Sequence, residues 1–142
     1  MRYEKTFKVT ADPAYALGYV ADFRTLVEWE PSVQTVQQTR GSGPCAGAVY
    51  QIKMRLFGQD SEMRYECMEY TGNYAILQGM GDGFSAFDRI DVRPVSGGCE
   101  VTYLTDISLL TKKGKMLEPL IALIFGFNVR HAVKNLRKCL TV

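Results

Sequence analysis

From residue 47 to residue 109 the chain reads as one unbroken meander. Apolar and polar residues alternate at 47–57, 61–71, 74–81, 84–94 and 99–109, and the connections are Gly58-Gln59, Gly72-Asn73, Asp82-Gly83 and Ser96-Gly97-Gly98. Alternation with period two marks a strand with one buried face. Connections this short leave no room for a crossover, so each strand must turn back beside its predecessor as an antiparallel hairpin. Two more alternating segments, 2–10 and 33–40, precede the meander. The pattern predicts about seven antiparallel strands in one twisted sheet, and one face of that sheet needs a cover.

The cover must be helical. Asp12-Pro13 opens a helix through AYALGYVA, with Asp as N-cap and Pro in the first turn. Asp22 caps a second short helix, FRTLVEW, which Pro31 ends. A long helix runs from near Lys115 to about Leu140. It sets Arg130, Lys134, Arg137 and Lys138 on one face and Leu117, Ile121, Phe125, Asn128, Ala132, Leu136 and Cys139 on the opposite one. Its first half, PLIALIFGF, is apolar nearly all round, which predicts cover on several sides, by the sheet and by the two short helices. The order β-α-α-β-β-β-β-β-β-α is that of an α+β two-layer domain. A length of 142 residues suits one domain, spanning 1–142.

Charge and cysteine usage exclude several classes. A net charge of +2, without a Lys/Arg run, is too small an electrostatic footprint for nucleic acid. The Lys112, Lys113 and Lys115 cluster reads as a solvated helix entrance. The four cysteines, at 45, 67, 99 and 139, form no C-x-x-C pair, and His131 is the sole histidine, so no metal site and no cofactor are expected. Cys67 and Cys139 read as small core residues, and Cys45 and Cys99 as loop and strand-start residues. The N-terminal stretch alternates like a strand rather than forming an apolar leader, which predicts a cytoplasmic protein with reduced thiols. The longest apolar run, 120–127, is far short of the ~20 residues a membrane span needs.

Some residues carry a resemblance. They are Asp12-Pro13, Val20-Ala21-Asp22-Phe23, Glu28-Trp29-Glu30-Pro31-Ser32-Val33, Gly47, and Val92-Arg93-Pro94-Val95-Ser96-Gly97-Gly98 leading into Val101-Thr102-Tyr103. With this element order the chain resembles the START-like (SRPBCC) superfamily, and within it the small bacterial polyketide cyclase/dehydrase-like proteins. The resemblance implies the helix-grip fold, a curved sheet wrapped around the C-terminal helix with a cavity between them. It supplies no shared catalytic motif. Members include hydrophobic-ligand carriers, aromatase/cyclases, hormone sensors and chaperone co-factors, and a fold does not settle function.

Period two then selects the residues that face the cavity. Tyr50, Ile52, Met54 and Leu56 point in from the third strand, opposite Gln51, Lys53 and Arg55. Met63, Tyr65, Cys67 and Glu69 form the inner set of the fourth strand, and Val101, Tyr103, Thr105 and Ile107 that of the last. In the mixed segments 74–81 and 84–94, one shared face is Tyr74, Ile76, Gln78 and Met80 matched with Phe84, Ala86, Asp88, Ile90 and Val92.

Each candidate has a bland reading beside the functional one. The phenols of Tyr50, Tyr65 and Tyr103 either bond each other, backbone or water in a packed core, or form the polar rim of an apolar pocket. Asn128, inward on the long helix, needs a partner because burying a bare amide costs about 1–3 kcal/mol. That partner is a neighbouring group or a ligand. An inward Asp88 would have a raised pKa or a cationic partner and is the one candidate for acid/base work. Alternatively a bulge turns it outward to Arg89, Arg64 or Arg55. Trp29 plugs the end of the cavity or walls it, and is buried in either case. His131 reads as a solvated helix histidine, and the GSGPCAG loop at 41–47 as a loop near the pocket mouth.

The ligand-binding set is therefore Trp29, Tyr50, Ile52, Met54, Tyr65, Tyr103, Ile121, Phe125 and Asn128. The leading expectation is binding or transport of a hydrophobic small molecule (a lipid, polyketide or aromatic compound). The second is an aromatase/cyclase-type enzyme in which pocket Tyr, Asn128 and Asp88 position a substrate and move protons. The third is an interaction module or homodimer through the apolar start of the last helix, which requires Leu120, Leu123 or Phe127 to stand exposed.

Overall fold

The computed structural model describes residues 1–56 and 58–141. Phe57, which the sequence places at the end of the third strand, and the inward reading of the Leu56 side chain lie outside what is described. Seven strands form one antiparallel sheet: β1 (Arg2–Val9), β2 (Val33–Arg40), β3 (Val49–Leu56), β4 (Gln59–Tyr70), β5 (Tyr74–Gly81), β6 (Phe84–Val95) and β7 (Gly98–Leu109). Their spatial order is β1-β7-β6-β5-β4-β3-β2, so the meander from β2 to β7 is continuous and β1 closes onto its last strand. The fold is the predicted α+β helix-grip architecture.

The turn and cap residues act as their chemistry predicts. Gly83 and Gly97 hold φ of 84° and 82°, the left-handed region that a side chain resists, in the β5–β6 and β6–β7 turns. Asp12 caps α1 (Pro13–Ala21) by accepting from the Ala14 N–H at 3.1 Å. Asp22 ends α1 and starts the 3-10 turn Phe23–Thr25, where its carboxylate accepts from the Arg24 N–H and pairs with the Arg24 guanidinium at 2.6 Å. The short α2 (Leu26–Trp29) follows and stops before Pro31. α1 lies across β5, β6 and β7, and α2 wedges between β2 and the last helix.

The long helix departs from the prediction in three ways. It is broken: α3 (Lys112–Met116) is separated from α4 (Glu118–Cys139) at Leu117. Pro119 sits in the first turn of α4, and a proline lacks the N–H that an earlier turn would have used. Its first half is also not covered on several sides. Leu120, Leu123 and Phe127 are 57%, 60% and 66% exposed, because α2 packs against the second half, where Val129, Ala132, Val133 and Leu136 are buried. Finally, Leu117 and Cys139, assigned to the inner face, are exposed. Cys99, by contrast, is fully buried at the start of β7.

The phase of β5 is the other correction. Its inner face is Ala75, Leu77 and Gly79, while Gln78 and Met80 are exposed on the outer face with Tyr74 and Ile76 beside them. The inner face is small because its neighbours are large. A Cβ on Gly79 would lie 2.8 Å from the Tyr65 ring, and one on Gly81 would lie 2.8 Å from the Phe84 ring. The strand yields volume to two aromatic rings, which removes the large apolar signal that normally marks the inward face. In β6 the predicted alternation holds, and Ala86, Asp88, Ile90 and Val92 are all buried.

Candidate functional site

Sheet and α4 do not close on each other completely. Between them lies a cavity of about 320 Å³. Its floor is Ile52 and Met54 of β3, Met63 and Tyr65 of β4, Phe84 and Asp88 of β6, and Tyr103, Thr105 and Ile107 of β7. Its roof is α4, through Ile121, Ile124, Phe125, Asn128, Val129 and Val133. Phe23, Leu26, Trp29 and Glu30 line it from the short helices, and Gln59, Asp60, Ser61 and Asp82 line it from the hairpin ends. The walls are mostly apolar with a few polar groups, as small-molecule sites are.

Trp29 settles as plug and wall together. It is 3% exposed, lines the cavity, and meets the Tyr103 ring edge-on at 6.0 Å. Its indole N–H donates to the Thr25 hydroxyl at 3.2 Å rather than to a backbone carbonyl. On the other side of α2, the Trp29 carbonyl accepts from the Asn135 side chain at 3.2 Å, which ties the short helix to α4.

Asp88 is inward and 4% exposed. One carboxylate oxygen accepts from the Tyr103 hydroxyl at 2.7 Å and the other from the Thr105 hydroxyl at 2.9 Å. The outward alternative is not realised, since Arg89 pairs with Asp91, Arg64 with Glu66 and Arg55 with Asp60. Burial pushes the Asp88 pKa from the ordinary 3.8 to about 6, against the two hydroxyl donors, which pull it down. A nearby Glu30 carboxylate adds repulsion in the same upward direction as burial.

Glu30 is the group that sequence reasoning missed. It follows Trp29 at the end of α2, lines the cavity, and accepts from the Ser32 N–H and hydroxyl, both at 2.9 Å. The Asn128 amide, 98 residues away, donates to both of its oxygens at 2.9 and 3.0 Å. Asn128, half-buried on the inward side of α4, thus has a side-chain partner and still lines the cavity. Burial raises the Glu30 pKa, while the Ser32 and Asn128 donors and the exposed His131 oppose that shift. The sequence offered one faint signal, the Glu-Pro-Ser order that lets a carboxylate accept from the N–H two residues on.

The three phenols separate. Tyr103 serves Asp88. Tyr65 is 8% exposed, lines the cavity and stacks edge-on against Phe23 at 4.9 Å, and its hydroxyl has no hydrogen-bond partner among the described residues. Burial drives its pKa well up, and the Asp88 and Glu30 charges add to the rise. Tyr50 does not line the cavity, contrary to its assignment. It lies behind Phe23, ring centroids 5.9 Å apart, with no exposed surface and with its hydroxyl unpartnered among the described residues. Phe23 occupies the space through which Tyr50 would have reached the cavity, and a two-fold alternation cannot anticipate such a screen. Ile52, Met54, Ile121 and Phe125 line the cavity as assigned.

The 41–47 loop contributes nothing to the lining; its Gly43 backbone is bonded to the Gln38 side chain, near Arg24. No group of three or more His, Cys, Asp or Glu able to hold a metal exists among the described residues, and no described helix is long and apolar enough to cross a membrane.

The architecture, a curved sheet gripping a helix over a ligand-sized cavity, defines a helix-grip protein. Solved structures share it. A protein from Thermus thermophilus superposes with a TM-score of 0.80 at 16% identity, over 97% of this chain and 95% of that one. A START superfamily protein from Mycobacterium smegmatis gives 0.79 at 17% identity, over 98% and 96%. The ZhuI aromatase/cyclase from a Streptomyces species gives 0.75 at 8% identity, over 97% and 92%. At these identities the likeness is one of fold. No curated protein matches the sequence. The chain belongs to the family described as polyketide cyclase/dehydrase and lipid transport, whose profile matches residues 1–140.

Proposed function

We propose that this protein binds a small hydrophobic molecule in the cavity between the sheet and α4. The observation that carries the reading is the cavity itself: about 320 Å³, mostly apolar walls, and on its surface a Tyr65 hydroxyl without a hydrogen-bond partner among the described residues. At ~30 Å³ per water, that volume corresponds to roughly ten non-hydrogen atoms, a one- or two-ring compound or a medium alkyl chain. The family description and the START-like fold support the same class.

A second reading, cyclase-type chemistry on an enolisable ligand, is favoured by Asp88. A buried carboxylate with a pKa of about 6, held by two hydroxyls in a cavity, is poised to take and return a proton.

Native mass spectrometry of the purified protein, with extraction of whatever is retained, tests the first reading together with titration of the neutral two-ring fluorophore 2-naphthol. Saturable one-to-one binding that is lost in Ala132→Leu, which fills the cavity from α4, is expected. A clean mass with no saturable binding would refute it. The second reading requires a turnover that Asp88→Asn abolishes while fluorophore binding persists.

A further inference from the structure

The side-chain charges around the cavity all have one sign. Its ionisable lining side chains outside the tyrosines are Glu30, Asp60, Asp82 and Asp88, and no Lys, Arg or His lines it among the described residues. Asp60 is offset by Arg55 at the surface. Asp88 and Glu30, inside, have no cation bonded to them among the described residues. Met1 also lines the cavity, and its amino group is spent on the Ile107 carbonyl at 2.6 Å and on Asp106. His131 attracts Glu30 only from the exposed flank of α4.

Acceptor capacity is left over. A carboxylate offers about four lone-pair positions. Asp88 uses one on each oxygen, and the Glu30 Oε2 uses one. Tyr65, more than nine-tenths buried, adds a phenol oxygen with no partner among the described residues. Aromatic rings surround these acceptors, with Trp29, Phe23, Tyr103 and Phe125 in the same lining. Ring faces attract cations, most strongly where water is excluded.

We infer that the cavity selects an apolar ligand bearing a cationic amine and discriminates against carboxylic acids; the inference rests on the proposed reading that the cavity binds a small apolar molecule. An ammonium has three donors and no acceptor, which matches the spare lone pairs of Asp88, Glu30 and Tyr65. It also supplies the counter-charge that Asp88 and Glu30 lack. A ligand carboxylate would meet two like charges and no donor with a positive charge, a juxtaposition that strongly disfavours it.

Decylamine, 1-decanol and decanoate share one chain and differ only in the head group, so their affinities isolate its charge. Calorimetric titration of each, below micellar concentration and near neutral pH, should rank amine over alcohol over acid, with the amine on the order of a hundredfold tighter than the acid. In the Asp88→Asn, Glu30→Gln double variant the amine and the acid should bind alike. Decanoate binding as tightly as decylamine to the wild-type protein would overturn the inference and leave the binding reading standing. An amine preference that survives intact in the double variant would also overturn it. Binding by none of the three would overturn the binding reading and this inference with it.

Discussion

Replacing Asp88 with Asn should make the protein's stability less sensitive to pH in a defined direction. The folded state holds the Asp88 proton more tightly than the unfolded chain, with pKa about 6 against 3.8. Protonation therefore favours the fold. The stability that Asp88 allows is fully present below pH ~3.8 and is lost as pH rises through about 6. A separation of about 2 pKa units corresponds to about 3 kcal/mol at 1.36 kcal/mol per unit. Asp88 is 4% exposed, so solvent screening removes little of this. Asn cannot ionise, and in the variant this loss disappears. Asn also accepts through one oxygen only, so either the Tyr103 or the Thr105 hydroxyl loses its acceptor, a cost of about 1–3 kcal/mol that does not vary with pH.

Urea unfolding of both proteins at several pH values between 4 and 8 separates the two effects. The difference in unfolding free energy should move by up to about 3 kcal/mol in favour of Asn as pH rises, with the other carboxylates cancelling between the proteins. The midpoint of that change should fall between pH 4 and 6. A difference constant across the range, or one that moves in favour of Asp, would refute the desolvated-carboxylate account.

Other outcomes follow from the same structure. Tyr50→Phe removes a sealed, unpartnered hydroxyl and should be neutral or stabilising by up to about 1 kcal/mol in urea unfolding; a clear loss would mean that the hydroxyl has a partner. Gly79→Ala drives a methyl to within 2.8 Å of the Tyr65 ring and should cost about 1–3 kcal/mol, with a changed near-ultraviolet dichroism from that ring; an unchanged protein would contradict the packing of β5 against β4. Asn128→Leu strips Glu30 of both long-range donors and should destabilise by about 1–3 kcal/mol, more at pH 8 than at pH 4, because the charged carboxylate loses most. A loss independent of pH would show that Glu30 is not the partner that matters.

Where the sequence was legible, the signal was local. Alternation in β3, β4, β6 and β7 placed Ile52, Met54, Tyr65, Asp88 and Tyr103 on the cavity side, because a strand turns its side chains over every residue whatever it pairs with. Trp29 between a helix and a proline was readable as a buried end-piece for the same kind of reason. Where the reading failed, the missing information lay in another strand or helix. β5 shows its outer face to a pattern reader because Tyr65 and Phe84 have claimed the inner volume. Tyr50 points inward as expected but is screened by Phe23 from a different element. Glu30 was not singled out in the sequence, because the Asn128 that bonds it comes from almost a hundred residues further along the chain.

The sequence by itself determined the architecture. Short Gly-rich turns force hairpins, period two sets each strand's faces, and Asp-Pro starts the first helix, all of them effects reaching only a few residues along the chain. Only the tertiary structure decided that the cavity exists, that its side-chain charges share one sign, and that the outer stripe of α4 stays bare. Those depend on which volumes remain unfilled once the sheet, α2 and α4 have packed, and a remainder of that kind belongs to the whole assembly of side chains rather than to any segment.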